Sequence, residues 1–192
     1  MMTKPNGWDE AAAVEGGAQK AVLPSGNYIC TILKAEAVKN KNGGEQLLLN
    51  FDIAEGEHAN FFRQQYNDRK DAGIQARWGG RIYQNTTGNS VKFYKGMMKA
   101  IENSNHGYKW NFDETTLTGK KFLGQFRREE FYDSTGEKRW TTKCKYVRTI
   151  GAECEVLEDK PLDDGDVFPM QNSSNTFTEI SVEELSEDTL PF

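Results

Sequence analysis

The chain has 192 residues and a formal net charge of −5, with a mean hydropathy of −0.75, a size that suits one domain with extensions. No apolar run approaches the ~20 residues of a membrane span, and residues 1–20 carry Asp9, Glu10 and Glu15 where a secretory signal needs an apolar stretch. Cys30, Cys144 and Cys154 lack C-x-x-C spacing and His58 and His106 lie far apart, which argues against a disulfide framework or a zinc site and for a reducing cytoplasm.

Residues 1–20 form a leader, with 9–14 predicted as one short helix. Leu23-Pro24-Ser25-Gly26 then turns the chain into a first strand over 27–38, rich in β-branched and aromatic residues. Residues 39–44 are a turn by composition and a basic loop by charge. The second strand is the clearest periodic signal, because Leu47, Leu49, Phe51 and Ile53 alternate with Gln46, Leu48, Asn50 and Asp52. Residues 60–67 are predicted as a third strand, which completes a meander. Residues 69–89 show no period but hold Arg77-Trp78-Gly79-Gly80-Arg81. Ser90 is the predicted N-cap of a helix in which Tyr94, Met97, Met98 and Ile101 recur at i, i+3, i+4 and i+7, with Gly107 just past its end. A fourth strand is predicted over 120–132 and a fifth over 138–150. The Asp133-Ser134-Thr135-Gly136 turn between them favours antiparallel pairing.

Beyond Ile150 the pattern stops. Residues 151–192 hold twelve acids against Lys160 alone, a charge of −11, whereas residues 1–150 hold seventeen acids and 23 bases, a charge of +6. So acidic and apolar-poor a segment is predicted to be disordered, and as a flexible coil it would reach ~35 Å r.m.s.. It runs to Asp188, Leu190, Pro191 and Phe192, where a carboxylate beside a large ring suits a hydrophobic pocket rimmed by cations. A basic body tethered to an acidic tail points the body towards nucleic acid.

The order strand-strand-strand-helix-strand-strand is that of an OB-fold, a mainly β, five-stranded Greek-key barrel with its helix between strands three and four. Such barrels bind oligonucleotides and oligosaccharides on the face of strands 2–3 and in the loops between strands 1–2 and 4–5. The predicted organisation is a leader over 1–20, an OB-fold domain over 21–150 and the tail over 151–192. Residues 23–28, Arg77-Trp78-Gly79-Gly80, residues 100–110 and Leu117-Thr118-Gly119-Lys120-Lys121 give the body a resemblance to a family of phage-encoded proteins of Gram-positive hosts, treated as single-stranded DNA-binding proteins. The tail tip is similar to that of bacterial single-stranded DNA-binding proteins, where it recruits replication and repair enzymes. These resemblances imply a phage replication, recombination or repair protein with single-stranded DNA and helicase, primase, recombinase or polymerase partners.

Binding a single strand without sequence choice requires cations along the phosphates and aromatic faces for the bases. Lys121 and Arg127 share a parity opposite Phe122 and Phe126. Arg139, Lys143 and Lys145 share one parity against Trp140, Cys144 and Tyr146, so the basic positions are expected to face outward. Tyr66, Trp78 and Tyr83 are the stacking candidates, beside Arg63, Arg69, Arg77 and Arg81. Lys39 and Lys41 in the first loop, with Lys138 and Arg139 beside the last turn, fit the rim of an OB cleft. No P-loop, G-x-S-x-G or H-E-x-x-H motif occurs, so a non-enzymatic binder without cofactor or metal is expected. Self-association is compatible with such a body. A single-strand annealing recombinase and a protein-interaction adaptor on the same barrel are the rival expectations.

Overall fold

The computed structural model describes residues 3–4, 21–73 and 75–163. Five strands and two helices follow in the order β1 (Gly26–Lys39), β2 (Glu45–Ile53), α1 (Phe61–Asp71), β3 (Arg81–Asn85), α2 (Val91–Ser104), β4 (Lys121–Tyr132) and β5 (Lys138–Arg148), with short 3₁₀ turns at Gly88–Ser90 and Glu114–Leu117. All strand pairings are antiparallel, in one open sheet of order β3-β2-β1-β4-β5. The first half of β1 pairs with β4, from Gly26↔Phe126 to Thr31↔Lys121, and its second half pairs with β2. Cys30 and Thr31 pair with both neighbours, and a register shift follows between Ile32 and Lys34 in the β1–β2 ladder; such a bulge bends a strand and increases its twist. The long β1 can therefore serve both halves of a curved sheet.

The alternation in β2 puts Leu47, Leu49, Phe51 and Ile53 in the core, where Phe51 meets the rings of Phe62 and Phe122 edge-on at 5.5 Å. Met97, Met98 and Ile101 of α2 cover this core, as their spacing predicts. Ser90 precedes α2, but its side chain makes no capping hydrogen bond.

Three expectations are corrected. Residues 60–67 do not form a strand. They open α1, with Phe62 and Gln65 turned inward. The stretch 57–72 contains no Val, Ile or Thr to favour extended backbone. The helix start is held from the sheet, because the buried Asp52 carboxylate accepts the Phe62 N–H at 3.0 Å and the Arg63 N–H at 3.1 Å. The third strand lies instead at Arg81–Asn85, within the stretch expected to be irregular.

Second, the chain does not loosen at Ile150. Asn27 Nδ2 donates to Cys154 O at 2.7 Å and Gln125 Nε2 to Glu155 O at 2.9 Å. Lys160 then pairs with β4, donating to Arg128 O at 2.8 Å and accepting from Glu130 N–H at 2.9 Å. Residues 152–162 are thus a strap across the outside of β1 and β4. The predicted leader helix and the tail beyond residue 163, including Asp188, Leu190, Pro191 and Phe192, lie outside the described residues.

Third, the Trp78-Gly79-Gly80 element is structural. Trp78 is 4% exposed, and its Nε1–H donates to Phe51 O at 3.1 Å and Gly80 O at 3.2 Å. It therefore offers no stacking face to a base.

Candidate nucleic-acid interface

The outer face of the β4–β5 hairpin gathers three of the predicted cations. Arg127 stands opposite Lys143, and the register shift between Gln125 and Phe126 leaves Lys145 as an extra residue on β5. The Glu129 carboxylate receives all three. Arg127 Nη2 lies 2.6 Å from it, Lys145 Nζ 2.9 Å and Lys143 Nζ 3.2 Å. Burial alone would raise the Glu129 pKa, but hydrogen bonds from Lys145, Arg127 and Lys143 outweigh it and hold the carboxyl at about 2. One carboxylate facing three cations leaves this node with a charge of +2. Lys143 keeps 60% of its side chain exposed, so an anion can approach from solvent.

The same extra residue moves Tyr146 out of the core parity on which it was expected, and it is 51% exposed with Arg148 over its ring at 5.0 Å. Trp140 remains half-buried under the Arg128 guanidinium at 4.8 Å. The neighbouring cations are committed locally. Arg139 clamps its own turn through Asp133 at 3.0 Å and Glu137 at 2.6 Å, and Lys138 lies 4.0 Å from Glu130. Lys121 is exposed and lies 3.6 Å from Glu55.

A second group forms on β3. Arg81 and Tyr83 are both exposed and stand opposite Asn50 and Leu48 of β2. Tyr83 is the predicted stacking residue that the structure leaves available. Lys39 and Lys41 are exposed at the β1–β2 loop, which Asn40 shapes by accepting the Asn42 and Gly44 N–H groups at 2.9 Å. Arg77 is exposed beside the buried Trp78. Arg63, Tyr66 and Arg69 sit on α1 rather than on a strand. Tyr66 is half-buried with its ring 6.1 Å from Trp78, and Arg69 donates to Gln75 O at 3.1 Å.

The strap runs between the two groups. It touches Asn27 and Gln125 on the outside of the central strands, and its Asp159 takes the Arg128 guanidinium and the Ser25 hydroxyl. The β3 face and the hairpin node are therefore two basic surfaces on either side of an acidic ribbon that contains Glu153, Glu155, Glu158 and Asp159. Sequence reasoning missed Glu129 as the centre of the node. Its i+2 spacing from Arg127 on a strand was the available signal, whereas nothing local announced the extra residue at Lys145.

Among the described residues no group of His, Cys, Asp and Glu is arranged to hold a metal ion, and no helix is long and apolar enough to cross a membrane. Burial pushes the Cys144 thiol up to about 12, so it is protonated at neutral pH and a poor nucleophile. No model of a protein family matches the chain, and no curated protein matches it.

Proposed function

We propose that this chain is a non-enzymatic single-stranded DNA-binding protein of phage replication or recombination, with an OB-type barrel as its body. The spatial order β4-β1-β2-β3 supports the barrel, since it is the 4-1-2-3 order of a Greek key, and α2 falls between β3 and β4 as in an OB-fold. The observation that carries the binding reading is the Arg127–Lys143–Lys145 node, whose excess positive charge faces solvent beside a β-hairpin. On the other side of the strap, Arg81 and Tyr83 offer the cation and the aromatic face that non-specific single-strand binding requires.

The acidic segment beyond residue 163 recruits partner enzymes through Asp188, Leu190, Pro191 and Phe192. The last described residues lie against β4, where Glu130 Oε2 accepts the Leu162 N–H at 3.0 Å. Deleting residues 184–192 is expected to leave oligo-dT affinity equal or higher while abolishing recovery of nucleic-acid enzymes from a bacterial extract on the immobilised protein. Equal recovery by full-length and truncated chains would refute the role of the tail. Loss of oligo-dT binding on truncation would refute the division of labour.

A further inference from the structure

A groove of about 930 Å³ lies between α2, the start of β2 and the loop 109–114. Three aromatic rings line it in succession. Tyr94 meets Trp110 edge-on at 6.4 Å, and Trp110 meets Phe112 at 5.9 Å. Phe112 is 80% exposed and has φ +65°, a backbone region that bulky side chains rarely adopt. The loop is fixed in this form by Glu102, which accepts the Trp110 N–H at 2.8 Å and pairs with Lys109 at 3.6 Å. A large ring is thus held out to solvent by a loop anchored to the helix.

The cations fit the same chemistry. Lys95 and Lys99 lie one turn apart on α2, both exposed, and neither takes part in an ion pair among the described residues. Of the groove's carboxylates, Glu45 and Glu114 belong to the opposite walls, β2 and the loop, while Glu102 shares the helix side, where the Trp110 N–H, Lys109 and the charge of Lys99 engage it, so a phosphate chain is favoured at the Lys95 end of the helix. The groove also continues from the β2–β3 face. Gln46 lines it and reaches across to Asn85 of β3 at 2.8 Å.

We propose that this groove receives bases of the same DNA strand after it leaves the Arg81–Tyr83 face, with Phe112 as the stacking platform and Lys95 and Lys99 on the phosphates. The inference rests on the single-strand reading above and extends the path of the strand around the body.

A ladder of oligo-dT, starting near the ~4 nucleotides that one barrel face can hold and passing well beyond ~16, tests it on the full chain. Phe112→Ala is expected to bind the shortest oligonucleotides like wild type and the long ones about 5- to 150-fold more weakly, the effect of one lost stacking partner. Phe112→Trp should restore the long-oligonucleotide affinity. The pair Lys95→Ala with Lys99→Ala should flatten the salt dependence for long oligonucleotides by ~1.4 in log–log slope. If wild type binds the ladder and Phe112→Ala matches it at every length, the inference is overturned and the groove is left to a peptide. If wild type binds no member, the single-strand reading itself fails and this inference with it.

Discussion

Glu129→Gln is expected to tighten oligo-dT binding about tenfold at low salt. The amide keeps the size and one acceptor oxygen of the side chain while removing its charge, so the node rises from +2 to +3. Arg127, Lys143 and Lys145 are then released from the carboxylate that now holds them at 2.6–3.2 Å. Each additional phosphate contacted steepens the log–log salt slope by ~0.7, and a charge-assisted hydrogen bond gained at the interface is worth ~1.5–3 kcal/mol, enough for a tenfold effect. The accompanying loss of stability should be on the order of 1.5–3 kcal/mol, the worth of a hydrogen bond to a charged group, because the Glu129 side chain is only 15% exposed.

Acidification cannot readily substitute for the mutation. The Glu129 pKa is depressed from 4.5 to about 2 in the folded chain. Its contribution to stability is therefore fully present above about pH 4.5 and is lost as pH falls through about 2. Through the neutral range the carboxylate stays charged and the node stays at +2. Unchanged or weaker oligo-dT binding by Glu129→Gln, measured by fluorescence polarisation, would mean that the node does not contact the strand.

The second large effect falls on the fold. Gly80→Ala is expected to lower stability by about 3 kcal/mol, at the upper end for an overpacked interior, and the melting temperature by roughly 10 °C for a body of this size. A Cβ at this position would stand 2.1 Å from the carbonyl oxygen of Phe51, which is backbone and cannot swing aside. The same close approach lets the Phe51 N–H donate to Gly80 O at 2.9 Å and lets the Trp78 indole bridge both carbonyls. Gly79 is a useful contrast, because its nearest neighbours are side-chain atoms of Gln65 and Phe62 at 2.9 and 3.0 Å, which can shift. Gly79→Ala should therefore cost less. A Gly80→Ala protein whose circular-dichroism melt coincides with wild type would contradict this account of the Trp-Gly-Gly element.

The parts of the fold legible in the sequence are those whose burial has a period. The alternation of β2, the i, i+3, i+4, i+7 stripe of α2 and the turn between β4 and β5 each follow from which residues must face the core. Helix α1 was not legible in this way. The adjacent Phe61 and Phe62 resemble a strand, and what fixes the helix is a carboxylate from β2, ten residues before Phe62. Trp78 was misread for the same reason, since its partners are backbone oxygens that only the folded chain brings to it. The strap shows the limit most clearly. Glu153 to Asp163 has the composition of a tail, yet Asp159 and Lys160 find partners in Ser25, Arg128 and Glu130 far back in the chain. At the candidate interface, residue parity anticipated the outward Arg127 and Lys143. It could not anticipate that Lys145 joins them on the Glu129 carboxylate, because that depends on the extra residue in β5.

The most direct test is the affinity of the full chain for oligo-dT as a function of salt. Binding through the hairpin node and the β3 face predicts clear affinity at low ionic strength that declines along a log–log slope of about −2 or steeper, near −0.7 per phosphate contacted. Affinity no greater than that of albumin at low salt, or a slope near zero, would contradict it.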